Sequence, residues 1–490
     1  MNLLLILFFS KFIQAEKLQL WHQMLPTNRL ILEGAVKDWE KANPEHQVHV
    51  IYRETEELRS GFQSAAMGGT GPELIYGPSD QVGPFATMKI IRPMDDLLTD
   101  LSEFDPLAVV KYQGSIFSVG DMVGNHLMLI YNKKLLQNPP RNTDELIEIG
   151  KKFTKDDNGD GKIDRYGLVW NFTEPYFFVP WVAGFGSWFL NDDFTPNLNS
   201  EGVIKAFSFV KSLRDVHKII PQECDYEIAN ALFKEGKAAM IVNGDWSWGD
   251  YVNAKIDFGV VPIPMVSQTG LWPAPLVGTK GYSVNANVAP EKMGPTVDLL
   301  KHLLSTEVQK KFAIEVGILP SRASARQQDN DRMAGSSASM TKGKPMPIVP
   351  EVRAVWDSLR PVYQSILGGK MQPQEAGQKA QDEALRQISV MNEVVQPNWQ
   401  ASLLQGIFVL VALFALYKLF KALSGNTLFK PENRFALIMT LPAMAAVFFV
   451  IIYPLVFNFV LSFSNFSLRT FRDWQVVGFQ NYFSVLSEKV

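Results

Sequence analysis

KLQLWHQMLPTNRLILEGAVKDWEKANPEHQVHVIY, residues 17–52, decides the fold class. Lys17 to Trp21 reads as a strand. Leu32, Ala35, Val36 and Trp39 then fall at i, i+3, i+4 and i+7 on a helix that Asn43-Pro44 ends. Val48, Val50 and Tyr52 alternate as a second strand, and a helix over Glu56 to Met67 leads through Gly68-Gly69-Thr70-Gly71-Pro72 into a third, Glu73 to Tyr76. Strand, helix and strand in repetition is the grammar of a doubly wound α/β sheet. It restarts after a strand at Leu127 to Tyr131, with a helix Thr143 to Phe153, a strand Tyr166 to Trp170, helices Glu201 to Val216 and Tyr226 to Lys234, and a buried strand Ala238 to Val242. The strand Tyr282 to Asn285 returns the chain to the first lobe, and Ala376 to Val395 forms a last helix before Gln396-Pro397-Asn398. Two α/β lobes with a cleft between them are expected.

The chain has 490 residues and a net charge of −3, enough length for large cores and no electrostatic footprint for nucleic acid. A single cysteine, Cys224, excludes an intrachain disulfide and reads as a buried, unreactive thiol. The six histidines show no zinc spacing. Trp21, Trp39, Trp170 and Trp181 lie inside periodic elements and belong to the core.

Two apolar runs, Leu403 to Tyr417 and Phe435 to Leu468, follow the globular part. A bilayer core of roughly 30 Å takes about 20 apolar residues, so both read as membrane spans, the first with Lys418 and Lys421 snorkelling. The loop between them carries Lys418, Lys421, Lys430 and Arg434 against Glu432 and should be cytoplasmic, which places the N-terminal region outside. Leu3 to Phe9 followed by Ile13-Gln14-Ala15 reads as a secretory signal cleaved after Ala15; an uncleaved anchor is the alternative.

Ligands of open α/β sheets bind beyond the carboxyl ends of the strands. Three such ends run into Gly77-Pro78-Ser79-Asp80, Asn171-Phe172-Thr173-Glu174-Pro175-Tyr176 and Asn243-Gly244-Asp245-Trp246-Ser247-Trp248. Carboxylates with aromatics suit a sugar, whose hydroxyls need acceptors and whose CH faces need a flat apolar partner. Covering about 50 Å² per ring gives about 1.3 kcal/mol per aromatic.

These segments, with Trp21-His22-Gln23-Met24, Gly71-Pro72-Glu73-Leu74, Ile130-Tyr131-Asn132-Lys133 and Ala231-Leu232-Phe233-Lys234-Glu235-Gly236-Lys237, closely resemble the periplasmic maltose/maltodextrin-binding proteins of ABC importers over Lys17 to Val395. Pro442, Tyr453-Pro454, Leu461-Ser462-Phe463 and Val477-Gly478-Phe479-Gln480-Asn481-Tyr482 resemble the start of a sugar-importer permease subunit. The resemblance implies an α/β, two-lobed periplasmic-binding-protein fold of type II followed by two transmembrane helices. The expected boundaries are a signal segment 1–15, a maltodextrin-binding domain 16–395, a linker 396–402, a first span 403–423, a cytoplasmic loop 424–434, a second span 435–464 and an extracytoplasmic tail 465–490. It further implies sugar stacking by Tyr176, Trp246 and Trp356, and hydrogen bonding by Glu174 and Asp80. Trp272 is a further candidate platform, and Asn125 a candidate ligand residue. Leu25-Pro26 stands where some members place Asp-Lys, Asn125 where some have glutamate, and Gln81 where some have arginine.

The implied function is a membrane-tethered, sugar-binding component of an importer, with maltose or maltodextrin as ligand, a second permease subunit and separate ATPase subunits as partners, and membrane lipid around its spans. No Walker-type loop occurs, and two spans alone do not make a pore, so either the permease is shortened here or another subunit completes it. A membrane-anchored sensor is the alternative, and an anchored glycoside hydrolase using Glu174 and Asp80 is the enzymatic rival. No cofactor is required. A structural calcium ion is expected at Asp156, Asn158, Asp160, Asp164 and the Lys162 carbonyl, which match EF-hand oxygen spacing with Gly161 at the turn; Gly167 stands where that loop has its glutamate, and a polar Asx turn is the alternative.

Overall fold

The computed structural model describes residues 16–326, 331–392, 396–424, 439–440, 442–443, 446–467 and 469–487. The signal segment 1–15 and residues 425–434 of the basic loop lie outside the described residues. The chain divides into two compact units, Met1–Ile388 and Ser389–Val490.

Along the chain the elements are β1 (Glu16–His22), α1 (Pro26–Ala42), β2 (His46–Tyr52), α2 (Thr55–Met67), β3 (Leu74–Pro78), α3 (Val82–Thr87), β4 (Val109–Tyr112), β5 (Ser115–Gly120), β6 (Leu127–Asn132), α4 (Thr143–Phe153), β7 (Tyr166–Val169), α5 (Val179–Gly184), α6 (Glu201–Asp215), α7 (Tyr226–Lys234), β8 (Ala238–Gly244), α8 (Trp248–Asn253), β9 (Phe258–Val261), β10 (Leu276–Val277), β11 (Lys280–Val284), α9 (Pro290–Leu303), α10 (Thr306–Glu315), α11 (Asp331–Met340), β12 (Lys344–Pro345), α12 (Glu351–Leu367), α13 (Pro373–Asn392) and α14 (Trp399–Ser424). The apolar stripe read from α1 packs as expected: Leu32, Ala35, Val36 and Trp39 are all buried, and Asn43 caps the helix.

The first lobe is a six-stranded sheet ordered β2-β1-β3-β11-β5-β4, and the second a four-stranded sheet ordered β7-β8-β6-β9. Both sheets are mixed. β1 runs parallel to β2 and β3, whereas β11 lies antiparallel to β3 and β5, because it enters its sheet from the other lobe. β6 likewise pairs antiparallel with β8 and β9. Each lobe has its own core. Leu20, Leu32, Leu74, Tyr282 and Phe312 fill the first. Trp170, Trp181, Phe178, Phe207 and Tyr363 fill the second, with Phe178 stacked on Phe207 at 4.3 Å. Trp21 and Trp39 are also buried, so the four tryptophans assigned to cores lie there. Cys224 is buried, and burial pushes its thiol up to about 12, out of the reactive range.

Three segments pass between the lobes side by side. Gly124 and Gly278 exchange backbone hydrogen bonds of 3.0 and 2.9 Å, and Val123 N–H donates to the Leu319 carbonyl at 2.9 Å. The lobes also touch away from this hinge: Thr27 of the first donates to Asp250 of the second at 3.1 Å, and Asn253 donates to Thr27 at 2.8 Å.

In the second unit α14 begins at Trp399, earlier than the expected 403. The Asn398 side chain accepts from the N–H groups of Gln400 and Ala401 and so starts the helix, leaving 396–398 as the non-helical connection. α14 has 26 residues, with the side chains of 416, 419, 420 and 422–424 outside the described set. Among the described residues, no helix is long and apolar enough to cross a membrane. A π-helical turn, Phe448–Ile452, runs into the helix Tyr453–Leu461, and Ala401, Leu404, Phe463 and Val476 form a small core.

Candidate functional site

Three strands reach the cleft and each bends there into one 3₁₀ turn: Ser79–Gln81 after β3, Pro175–Phe177 after β7, and Asp245–Ser247 after β8. The driving feature is clearest in β8, whose seven residues are all buried, so the first polar side chains that can face the cleft come at its end. Gly244 is required there. A Cβ on it would lie 2.0 Å from the Trp246 ring, which folds back over the strand end.

Tyr176 and Trp246 form a pair of rings 6.2 Å apart and inclined by 54°. The Tyr176 hydroxyl donates to the backbone carbonyl of Asn125 at 2.5 Å. Asn125 is buried in a left-handed conformation (φ +37°), so in this structure its carbonyl engages the site. Trp356, on α12, stacks on Phe189 at 5.3 Å and 21°, and its indole lies near enough to the Asp80 carboxylate to favour the charged form. Asp80, Tyr176, Trp246 and Trp356 are thus gathered with Asn125 behind them. Trp272 is placed differently: it is exposed, with the Lys342 ammonium 5.0 Å above its ring, and none of the cleft rings is among its described contacts.

Glu174 comes to the cleft already paired. Arg360 holds it through two bonds, Nε to Oε1 at 3.1 Å and Nη2 to Oε2 at 3.0 Å. Burial raises the Glu174 carboxyl and Arg360 pulls it back, leaving it above its ordinary value. The same helix crosses the cleft electrostatically. Arg353 donates to Asp357 at 2.8 Å and to Glu56 of the first lobe at 3.1 Å, and Arg59 grips Glu56 at 2.8 Å. Burial pushes Glu56 up, but its arginine partners outweigh that and hold it low.

Around Lys280, which lies over the Trp246 ring, three carboxyls act through space. Burial pushes Asp121 and Asp245 each up to about 7, and Asp80 to about 6. Burial also lowers Lys280 to about 8, against the pull of Asp245, Asp121 and Asp80. Tyr76 donates its hydroxyl to Asp121 at 3.0 Å.

The 156–164 loop holds itself together. Asp156 accepts from the N–H groups of Gly159 and Gly161, Asn158 from Asp160, Asp160 from Lys162, and Asp164 from Asp157. Among the described residues, no three His, Cys, Asp or Glu side chains are gathered as a metal ion needs. The carboxylates keep further lone pairs, so these bonds leave donor oxygens for a cation.

Arg353, Arg360, Glu56, Lys280, Asp121 and Asp245 were not singled out from the sequence. Arg353, Asp357 and Arg360 recur at helical spacing beside Trp356, a signal that a charged face borders the platform. Lys280 and Asp121 carry no such pattern, because only the hinge brings them together.

Two lobes hinged on three strands, with aromatic and ionic side chains from both directed to one cleft, define a solute receptor. The family model for bacterial extracellular solute-binding proteins matches residues 34–339. A maltose/maltodextrin-binding domain, MalE, from Bdellovibrio bacteriovorus, solved bound to maltotriose, is 58% identical, covers 76% of this chain and 100% of its own, and superposes with a TM-score of 0.75. The Thermus thermophilus maltotriose-binding protein, also solved with maltotriose, is 25% identical over 76% of this chain and 100% of its own, with a TM-score of 0.69. A maltotriose-binding protein of Pyrococcus abyssi is 27% identical over 72% of this chain and 77% of its own length. The chain belongs to the bacterial extracellular solute-binding proteins, among the maltose/maltodextrin-binding proteins of ABC importers. These relatives are binding proteins and not enzymes.

Proposed function

We propose that the chain captures maltodextrins outside the cytoplasmic membrane and passes them to an ABC importer to which it is covalently joined. The observation that carries this is the Tyr176–Trp246 ring pair beside Asp80 and the Glu174–Arg360 pair, in a chain 58% identical to a maltotriose-bound domain. Trp246, Tyr176 and Trp356 take the CH faces of the glucose units, and Asp80, Glu174 and Arg360 their hydroxyls. Lobe closure shifts the population toward the form that the translocation helices recognise.

Membrane tethering is supported by the two apolar runs of the sequence, the first of which lies on α14. Leu403, Ile407, Val409, Leu410, Val411, Leu413 and Phe414 are exposed along it, between 43 and 66%, which water does not favour and lipid does. The basic residues after it place that end in the cytoplasm and the receptor outside. The segment from Pro442 to Tyr482 resembles the start of a sugar-importer permease subunit, and separate ATPase subunits supply the energy. The short connection ahead of α14 would hold the receptor beside its transporter at an effective concentration on the order of millimolar. A structural calcium ion in the 156–164 loop, held by Asp156, Asn158, Asp160, Asp164 and the Lys162 carbonyl, completes the proposal.

Calorimetry of residues 16–388 with maltotriose tests the binding, and analysis of the recovered sugar separates receptor from hydrolase. Heat with intact sugar is expected; no heat with any malto-oligomer refutes the reading. Alkaline carbonate extraction of membranes tests the tether, with release of the full chain counting against it.

A further inference from the structure

Lys280 opens β11 in the first lobe, and Asp245 opens the turn after β8 in the second. Trp246 follows Asp245 in the chain, and the Lys280 ammonium lies 5.0 Å from its ring centre. Among the described residues that ammonium makes no hydrogen bond or close ion pair, although Asp245, Asp121 and Asp80 all act on it through space. Asp245 is 1% exposed with Oδ1 unpartnered, and Asp121 is 2% exposed with Oδ2 unpartnered. Buried polar atoms ordinarily find partners, and leaving one empty costs more than a typical hydrogen bond contributes. Here two buried acceptor oxygens stand empty, and a partly exposed three-donor ammonium that acts on both carboxylates lies over the Trp246 ring.

The charges select the missing partner. An anion would meet three carboxylates, a cation would meet Lys280, and an alkyl chain would leave every one of these groups unsatisfied. A neutral molecule with adjacent hydroxyls and a flat CH face satisfies them all, since each hydroxyl both donates and accepts. We propose that Lys280 and Asp245 form the polar half of a pyranose subsite against Trp246, the ammonium donating to one ring hydroxyl and the carboxylate accepting from another. This rests on the maltodextrin reading and extends it to two residues in different lobes. The subsite is complete only when the lobes meet, so occupying it favours closure.

The titration behaviour makes the proposal testable. The groups facing Lys280 are Asp80, at about 6, Asp121 and Asp245, at about 7, and Tyr76, Tyr176 and Tyr282, all raised well above 10 by burial. His126, beside Asp245, is lowered to about 4 by burial. Lys280, at about 8, is therefore the group in this cluster that changes charge between pH 8 and 10.

The experiment is maltotriose calorimetry on the full chain in detergent at pH 7, 8, 9 and 10, for the wild type, Lys280→Met, Lys280→Arg and Asp245→Asn. The wild type is expected to lose affinity about tenfold or more from pH 8 to 10 as the donor is lost. Lys280→Met is expected to bind about ten- to a hundredfold more weakly at pH 8, as for a hydrogen bond to a charged group, without the wild type's further loss between pH 8 and 10. Lys280→Arg keeps its charge and should also be flat, and this variant carries the test should the methionine variant fail to fold. A residue that merely balances buried carboxylates would move stability and leave the pH profile of affinity alone. Unchanged affinity in Lys280→Met, or a wild-type pH slope in Lys280→Arg, overturns the subsite while leaving the maltodextrin reading standing. A wild type that binds no maltotriose at any pH overturns both.

Discussion

Replacing Asp245 by asparagine should stabilise the receptor, and by an amount that depends on pH. The carboxyl is 1% exposed and its pKa is pushed from 3.8 to about 7 by burial. Between those values the folded state keeps a proton that the unfolded chain has released. The unfolded state then binds fewer protons, so stability falls as pH rises from about 4 to about 7. At about 1.4 kcal/mol per pH unit, a shift of roughly three units corresponds to an upper bound of about 4 kcal/mol at pH 8. Asparagine keeps the shape without the charge. It also takes a carboxylate from Lys280, so a net gain of about 1–3 kcal/mol at pH 8 is the expectation, vanishing near pH 4. Lys280 works in the opposite sense: its folded pKa lies below its unfolded value, so its contribution recovers between pH 8 and about 10.4. Urea unfolding of residues 16–388 at pH 4.5, 6, 8 and 10, read by tryptophan fluorescence, measures both. A difference between variant and wild type that is the same at pH 4.5 and 8 refutes the electrostatic reasoning. Retaining so costly a carboxylate is what a binding site does, since sites trade stability for ligand contacts.

Trp246→Ala removes one stacking face, about 1.3 kcal/mol, and should weaken maltotriose about tenfold by calorimetry. Gly244→Ala should reproduce much of that loss with Trp246 still present, because the new methyl would meet the ring at 2.0 Å and displace it; an unchanged Kd would show that the ring's folded-back position is immaterial. Arg353→Gln cuts the 3.1 Å bond between the lobes. Both partners are partly solvated, so about 1 kcal/mol or less is at stake and affinity should fall no more than about fivefold, with 1 M salt having the same effect on the wild type and little on the variant. Calcium should raise the Tm of residues 16–388, and Asp156→Asn should abolish the rise; identical melting curves with calcium and with chelator would remove the ion from the account.

Much of the cleft was legible because it lies at strand ends. The runs ending at Tyr76, Trp170 and Val242 are apolar, and their polar and aromatic continuations have one place to go. Position put Asp80, Tyr176 and Trp246 at the cleft, and the family resemblance gave them their expected roles toward a sugar. Trp356 came from family resemblance, and its helix was not read, although Arg353, Asp357 and Arg360 mark the same charged face. Trp272 shows the limit: a tryptophan in a loop looks the same from sequence whether it faces the cleft or lies under Lys342.

Local sequence determined the elements, since hydrophobic period and turn residues act over a few positions: α4 and α7 have the expected ends, and Asn43 and Gly236 stop their helices where read. It also determined that two long apolar runs follow the receptor. Tertiary structure decided the mixed sheets, the three-stranded hinge, the pairing of Glu174 with Arg360 across 186 positions, and the meeting of Lys280 with Asp245. Those contacts depend on where chain segments cross between lobes, and desolvation acts on a carboxylate only once distant residues have covered it.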